Sequence, residues 1–206
     1  MIKIAAGLGA SIALAMVAGT AQAAACTGIN LGTSSTSDFT LGGADSSACV
    51  ISGVNPDMGP NGNSSGFSPD PFGTGWVLLA KMTSDSSPTF LDGVSYDWGI
   101  TFDNDNKSGD WSFGADQSVK LDLVIAMHAS NHSGAFLFDD LTLTANQTQQ
   151  GTWAIKWVNN GGNNPEYSNS SLWVRDVTAV PEPETYALML AGLAALGFVA
   201  RRRKSV

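Results

Sequence analysis

Few side chains in this sequence are suited to chemistry. His128 and His132 are the only histidines, and a His-x3-His spacing on a helix would turn both imidazoles to one face, as a zinc site requires. The alternating apolar run ends at Met127, so the pair is expected to flank a turn, where a hairpin could bring His128 toward Asp139 or Asp140. Hydrogen bonding within the loop is the expected role, and His128, His132 and Asp139 make only a weak metal candidate. Asp103-Asn104-Asp105-Asn106-Lys107-Ser108-Gly109-Asp110 is oxygen-rich enough for calcium, but the positions where an EF-hand places Gly and Glu hold Ser108 and Gly114. A hairpin turn accounts for the same residues, Asp103 and Asp105 included, because Asn, Asp and Gly tolerate left-handed backbone. Gly62-Asn63-Ser64-Ser65-Gly66 matches the pattern of a nucleophile elbow, yet Pro60 and Pro69 bracket a polar loop with no strand before it and no helix after. Glycosidases work with paired carboxylates, and Glu166 is the single glutamate before residue 180. The sequence leads us to expect no catalysis, no metal and no cofactor.

Six tryptophans, at positions 76, 98, 111, 153, 157 and 173, are a different resource. Indole faces stack on sugar rings, so a carbohydrate-binding surface is the alternative reading. Most of these residues share an alternating face with Leu, Ile or Phe and are expected in the core. Trp173 alternates with Arg175, and Tyr167 sits in an Asn/Gly-rich loop, which makes Trp173 and Tyr167 the candidate ligand face. Ice binding would need a flat repeated array of threonines, and Thr142-Leu143-Thr144 is the only Thr-x-Thr in the middle of the chain.

The elements that must position these residues read as strands. Trp76, Leu78, Ala80 and Met82 alternate, as do Trp98, Ile100 and Phe102, then Leu121, Leu123, Ile125 and Met127, then Trp153, Ile155 and Trp157. Period-two patterning broken by Gly, Asn, Asp and Ser predicts antiparallel sheet. Shorter candidates occupy residues 111–113, 135–138, 141–144 and 172–178. About ten short strands suit an all-β fold, an antiparallel two-sheet jelly-roll-like sandwich. Residues 24–75 read as its loop-rich N-terminal part with two edge strands, and residues 76–179 as its core. Cys26 and Cys49, the only cysteines, are expected to form a disulfide across that N-terminal part, stabilising it by about 3 kcal/mol through loop closure.

Both ends of the chain read as addresses. Lys3, the small apolar run over residues 4–17 and Ala21-Gln22-Ala23 form a secretory signal peptide spanning residues 1–23, with signal peptidase cutting after Ala23 or, as second choice, after Ala25. A retained anchor would need a longer run, and a lipoprotein site at Cys26 lacks the Leu expected three residues before it, where Ala23 stands. At the other end, uncharged residues 186–200 precede Arg201, Arg202, Arg203 and Lys204. This predicts a single transmembrane helix with a cytoplasmic basic anchor, leaving residues 24–185 outside the inner membrane. Between the two addresses, residues 24–180 carry 16 acids against 5 bases. Such a surface repels phosphate backbones and excludes nucleic acid as a partner.

Val180-Pro181-Glu182-Pro183, the short hydrophobic helix and the terminal arginine cluster together resemble the PEP-CTERM sorting signal of Gram-negative bacteria, covering residues 180–206. The resemblance implies recognition by exosortase, a membrane cysteine transpeptidase-like enzyme that cleaves near the motif, and release or transfer to the cell surface or an exopolysaccharide and biofilm matrix. Two prolines suit that role, because they hold the segment extended and remove backbone donors. Residues 75–81, 107–111, 123–128, 136–138 and 151–155 are similar in pattern to a recurrent group of ectodomains carrying this signal, which implies a surface protein and nothing about mechanism.

Overall fold

The computed structural model describes residues 23–53, 72–82, 93–101, 106–181 and 183–203. The signal segment, Ser64, Asp103, Asp105, Glu182 and Lys204 lie outside these. Eleven strands are described: β1 (Thr27–Gly28), β2 (Thr40–Leu41), β3 (Ala44–Asp45), β4 (Ala48–Ser52), β5 (Val77–Met82), β6 (Tyr96–Ile100), β7 (Ser108–Ala115), β8 (Val119–Ala129), β9 (His132–Leu143), β10 (Gln147–Ala154) and β11 (Asn169–Ala179). One helix, α1, runs Pro183–Arg203. The strands form a six-stranded sheet in the order β1-β4-β9-β8-β11-β5, a three-stranded sheet β10-β7-β6 and a two-stranded β2-β3 ribbon. The molecule is mostly β, in keeping with an all-β sandwich.

The core lies between the two larger sheets and is built by alternation. Leu121, Leu123, Ile125 and Met127 of β8 are all but inaccessible and face Tyr96, Trp111, Phe113 and Trp153 of the small sheet in one cluster. Aromatic contacts knit the sheets together. Phe39 lies 4.2 Å from Phe136 and 6.2 Å from Trp111, and Trp111 lies 5.7 Å from Phe138, within the range where ring quadrupoles attract. Gly151 is required at its place, since a Cβ there would collide with the Thr40 carbonyl that accepts the Trp111 indole N–H at 2.7 Å.

Several expected boundaries differ from the observed ones. Residues 135–138 and 141–143 belong to one strand, β9, which stops short of Thr144; the Asp139-Asp140 pair between them marks a register shift in which Asp140 takes φ 55°. A bulge absorbs polar residues without ending a strand. The alternation of Leu78 and Ala80 also breaks, because β5 bulges at Leu79, which falls between the partners of Leu172 and Trp173, and both Leu79 and Ala80 are buried. β10 ends at Ala154, one residue after Trp153, whereas Ile155 and Trp157 are buried beyond it. The N-terminal part contributes more than edges, since β4 is paired on both sides, with β1 and with β9.

Cys26 and Cys49 are joined in a disulfide with Cα atoms 4.7 Å apart. Replacing both with serine is expected to lower the unfolding free energy by about 3 kcal/mol in urea denaturation. Nearby, buried Asp38 accepts the Ser35 backbone N–H at 3.0 Å. Burial pushes its pKa up to about 6, against the opposing pull of the Ser35 hydrogen bond and the charge of Lys156. A carboxyl whose folded pKa is raised supports the fold below its unfolded pKa and loses that support as pH rises through the folded value. Asp38→Asn keeps the acceptor without the charge, so its melting temperature should exceed wild type at pH 7.5 and converge with it near pH 4.

Candidate functional site

The two histidines flank the β8–β9 hairpin, whose two-residue tip, Ser130-Asn131, turns with Ser130 at φ 59°. His128 pairs with Ser133 and His132 with Ala129; since adjacent strand residues point to opposite faces, the two imidazoles lie on opposite faces of the sheet. His128 Nδ1 donates to the His132 carbonyl at 3.1 Å. His132 Nδ1 donates to Asn131 Oδ1 at 2.9 Å, and its Nε2 accepts from Asn30 Nδ2 at 2.8 Å. Burial holds the His128 pKa below the usual range, opposed by that carbonyl. Asp139 stands six residues along β9 from Ser133, about 20 Å away at strand rise, so the structure does not bring it to the histidines. Among the described residues, no group of three or more His, Cys, Asp or Glu is placed to hold a metal.

Trp173 and Tyr167 also part company. Tyr167 donates or accepts at Ser170 Oγ over 2.9 Å and packs 5.8 Å from Trp153, on the side of the core; burial pushes its pKa up to about 12. Trp173 lies on the outer face of the large sheet with Phe72, Trp76 and Leu137 over Val124, Ala126 and Ala135, and donates its indole N–H to Ser171 Oγ at 2.8 Å. The two rings share no face. No aromatic side chain whose burial is described is exposed.

Arg175 organises that outer cluster. Its guanidinium sits 4.2 Å over the Trp76 ring, donates from Nε and Nη2 to Asp122 Oδ2 at 3.0 and 2.7 Å, and donates from Nη1 to the Phe72 carbonyl at 2.9 Å. The side chain thereby ties residues 72–76 to the sheet. Two weak signals in the sequence pointed this way: a charged Asp122 interrupting Leu121 and Leu123, and Arg175 in step with Trp173. Beside it, Asp122, Asp139, Asp140, Asp176 and Lys120 line a shallow recess of about 270 Å³. Asp122 feels burial that raises its pKa, but the Asp140 N–H and Arg175 outweigh it and hold the carboxyl below its usual value. The Asp122 charge in turn pushes Asp139 up.

β11 carries the chain out of the sheet. Ala179 pairs with Val119, Val180 donates its backbone N–H to the Ser118 carbonyl at 2.8 Å, and α1 starts at Pro183. Arg201, Arg202 and Arg203 fall in the last turn of that helix, where cations oppose the exposed carbonyls. Residues 179–204 match the family model described as the PEP-CTERM protein-sorting motif. The chain carries a PEP-CTERM sorting signal. No curated protein and no solved structure matches it.

The PEP-CTERM helix, α1, is 21 residues long. Among the described residues, no helix is long and apolar enough to cross a membrane. The uncharged run of residues 186–200 rises about 22 Å as a helix, against a hydrocarbon core of about 30 Å. The PEP-CTERM segment hangs directly from β11, and Arg175 is the last residue of that strand to be paired before the register shifts. Removing its partner should be felt: Asp122→Asn is expected to lower stability by about 2 kcal/mol at pH 7, because the guanidinium stays partly buried without its counter-charge. Asp122 has a depressed folded pKa, so its contribution is full above the unfolded carboxylate value and fades as pH falls through the folded one. Wild type and Asp122→Asn should therefore converge in melting temperature as pH drops below about 4.

Proposed function

We propose that this is an exported protein whose PEP-CTERM signal is processed by exosortase, and whose β domain then serves at the cell surface or in an exopolysaccharide, biofilm-associated matrix without catalysis. The match over residues 179–204 carries the reading. In this account residues 1–23 are a signal peptide. The first hydrogen bonds of the fold support cleavage after Ala23: Ala24 N donates to Thr36 Oγ1 at 3.0 Å, Thr36 N donates to the Ala24 carbonyl at 2.8 Å, and Ala25 bridges Ser35. Cleavage after Ala25 would discard all three contacts.

The C-terminal helix then acts as a transit anchor in the inner membrane. A run somewhat short of the bilayer still crosses when flanking residues snorkel and the lipid thins, and Arg201–Arg203 would hold its cytoplasmic end. Non-catalysis is supported by the dispersal of the candidate groups: His128 and His132 face apart, and Asp139 is remote from both. Carbohydrate contact through a Trp173–Tyr167 platform is disfavoured by their separation.

Intact mass spectrometry of the protein recovered from the surface fraction tests the reading. We expect an N-terminus at Ala24 and loss of residues 186–206 in cells with active exosortase, with the full C-terminus retained in cells lacking it. A mature protein that keeps residues 186–206 in exosortase-active cells would overturn the processing.

A further inference from the structure

The folded sheet and the sorting signal nearly touch. The last sheet hydrogen bond is made by Val180 and α1 begins at Pro183, so only Pro181 and Glu182 stand between them. Three residue steps span about 10 Å at full extension. An enzyme that takes its substrate as an extended strand engages the backbone of several consecutive residues. On the N-terminal side of Pro181 those residues are still zipped to β8: Thr178 is paired with Lys120, Ala179 with Val119, and Val180 is bonded to Ser118.

That tip is built to come away separately. Arg175 pairs with Asp122, and pairing resumes at Thr178 with Lys120, so two residues of β11 oppose one of β8. Asp176 within this bulge takes φ 54°, in the left-handed region that costs a non-glycine residue free energy. The two sides of the bulge are held very differently. Before it, Leu172 and Val174 are completely buried and Arg175 is locked to Asp122 and over Trp76. After it, Thr178 and Ala179 are exposed, Val177 is only half-buried, and no residue of β11 is buried. Segments with exposed hydrogen bonds and little buried surface open at far lower free energy than the strands they extend.

We infer that residues 177–180 leave the sheet as a unit when the sorting signal is processed, with the bulge after Arg175 confining the opening to them. This rests on the exosortase processing proposed above. Opening frees four more residues, about 14 Å of chain, for an active site beside the membrane. When opening and closing outpace cleavage, processing follows the population of the open form.

A cross-strand lock tests this in exosortase-active cells. Lys120 and Thr178 are directly paired, within the Cα separation a disulfide accepts. We expect the oxidised Lys120→Cys/Thr178→Cys protein to be processed about tenfold more slowly than the single Thr178→Cys control, and Val177→Gly, which weakens the tip, to be processed faster than wild type. In the purified full-length protein, amides of Thr178 and Val180 should exchange much faster than those of Leu172 and Val174. A locked protein processed at the control rate, as when the first turn of α1 unwinds instead, would overturn the inference while leaving exosortase processing intact. If wild type and the Thr178→Cys control stay unprocessed, the sorting reading and this inference fall together.

Discussion

Phe39 sits between the two large sheets, against Phe136 on one side and Trp111 on the other, and the remaining architecture is arranged around that wedge. It comes from the N-terminal stretch, outside both sheets, yet it is inaccessible to solvent. The neighbouring chain is secured on either side: the Trp111 indole is bonded to the Thr40 carbonyl, and the disulfide ties Cys26 to β4. A loop-rich segment with little surface of its own to bury is thereby made part of the core. The same logic explains Gly151, whose missing side chain leaves room for Thr40 to approach.

The large sheet is buried on both faces, which is unusual work for a single small domain. Leu123 and Ile125 face the small sheet, while Val124 and Ala126 lie inaccessible on the other side under Phe72, Trp76 and Trp173. Arg175 makes that second layer possible. Its guanidinium covers Trp76 while its donors go to Asp122 and to the Phe72 carbonyl, so a cation takes part in an apolar layer without being left unpaired. The aromatic residue that looked most available for a ligand, Trp173, is part of this layer.

A domain that ends at Ala179 and a signal that begins there share a boundary. The strand that closes the large sheet also leads into the sorting signal. The inner part of β11 is among the best buried chain in the molecule and its outer part among the least, with a single bulge dividing them. That division lets a tightly packed domain end within a few residues of its sorting signal.

Much was legible before any coordinates. The sorting signal is read directly, because its chemistry is local: two prolines, an uncharged run and four consecutive cations need no tertiary partner to be recognised. Strand content follows from period-two alternation, which reports one buried face. Where burial is two-faced or absent the pattern fails, so the unbroken apolar run Leu123 to Met127 of β8 hid its outer layer, and the polar opening of β10, Gln147 to Gln150, gave no strand signal at a sheet edge. The histidines illustrate the limit most sharply. Their spacing suggests proximity, but a two-residue hairpin gives consecutive positions to opposite faces, and only the pairing register decides which face each receives. Sequence alone determined that the chain carries a sorting signal and that it folds into sheets; tertiary structure decided which aromatics are covered, which charges are joined and how little chain separates the fold from its signal, since each depends on residues brought together from far apart in the chain.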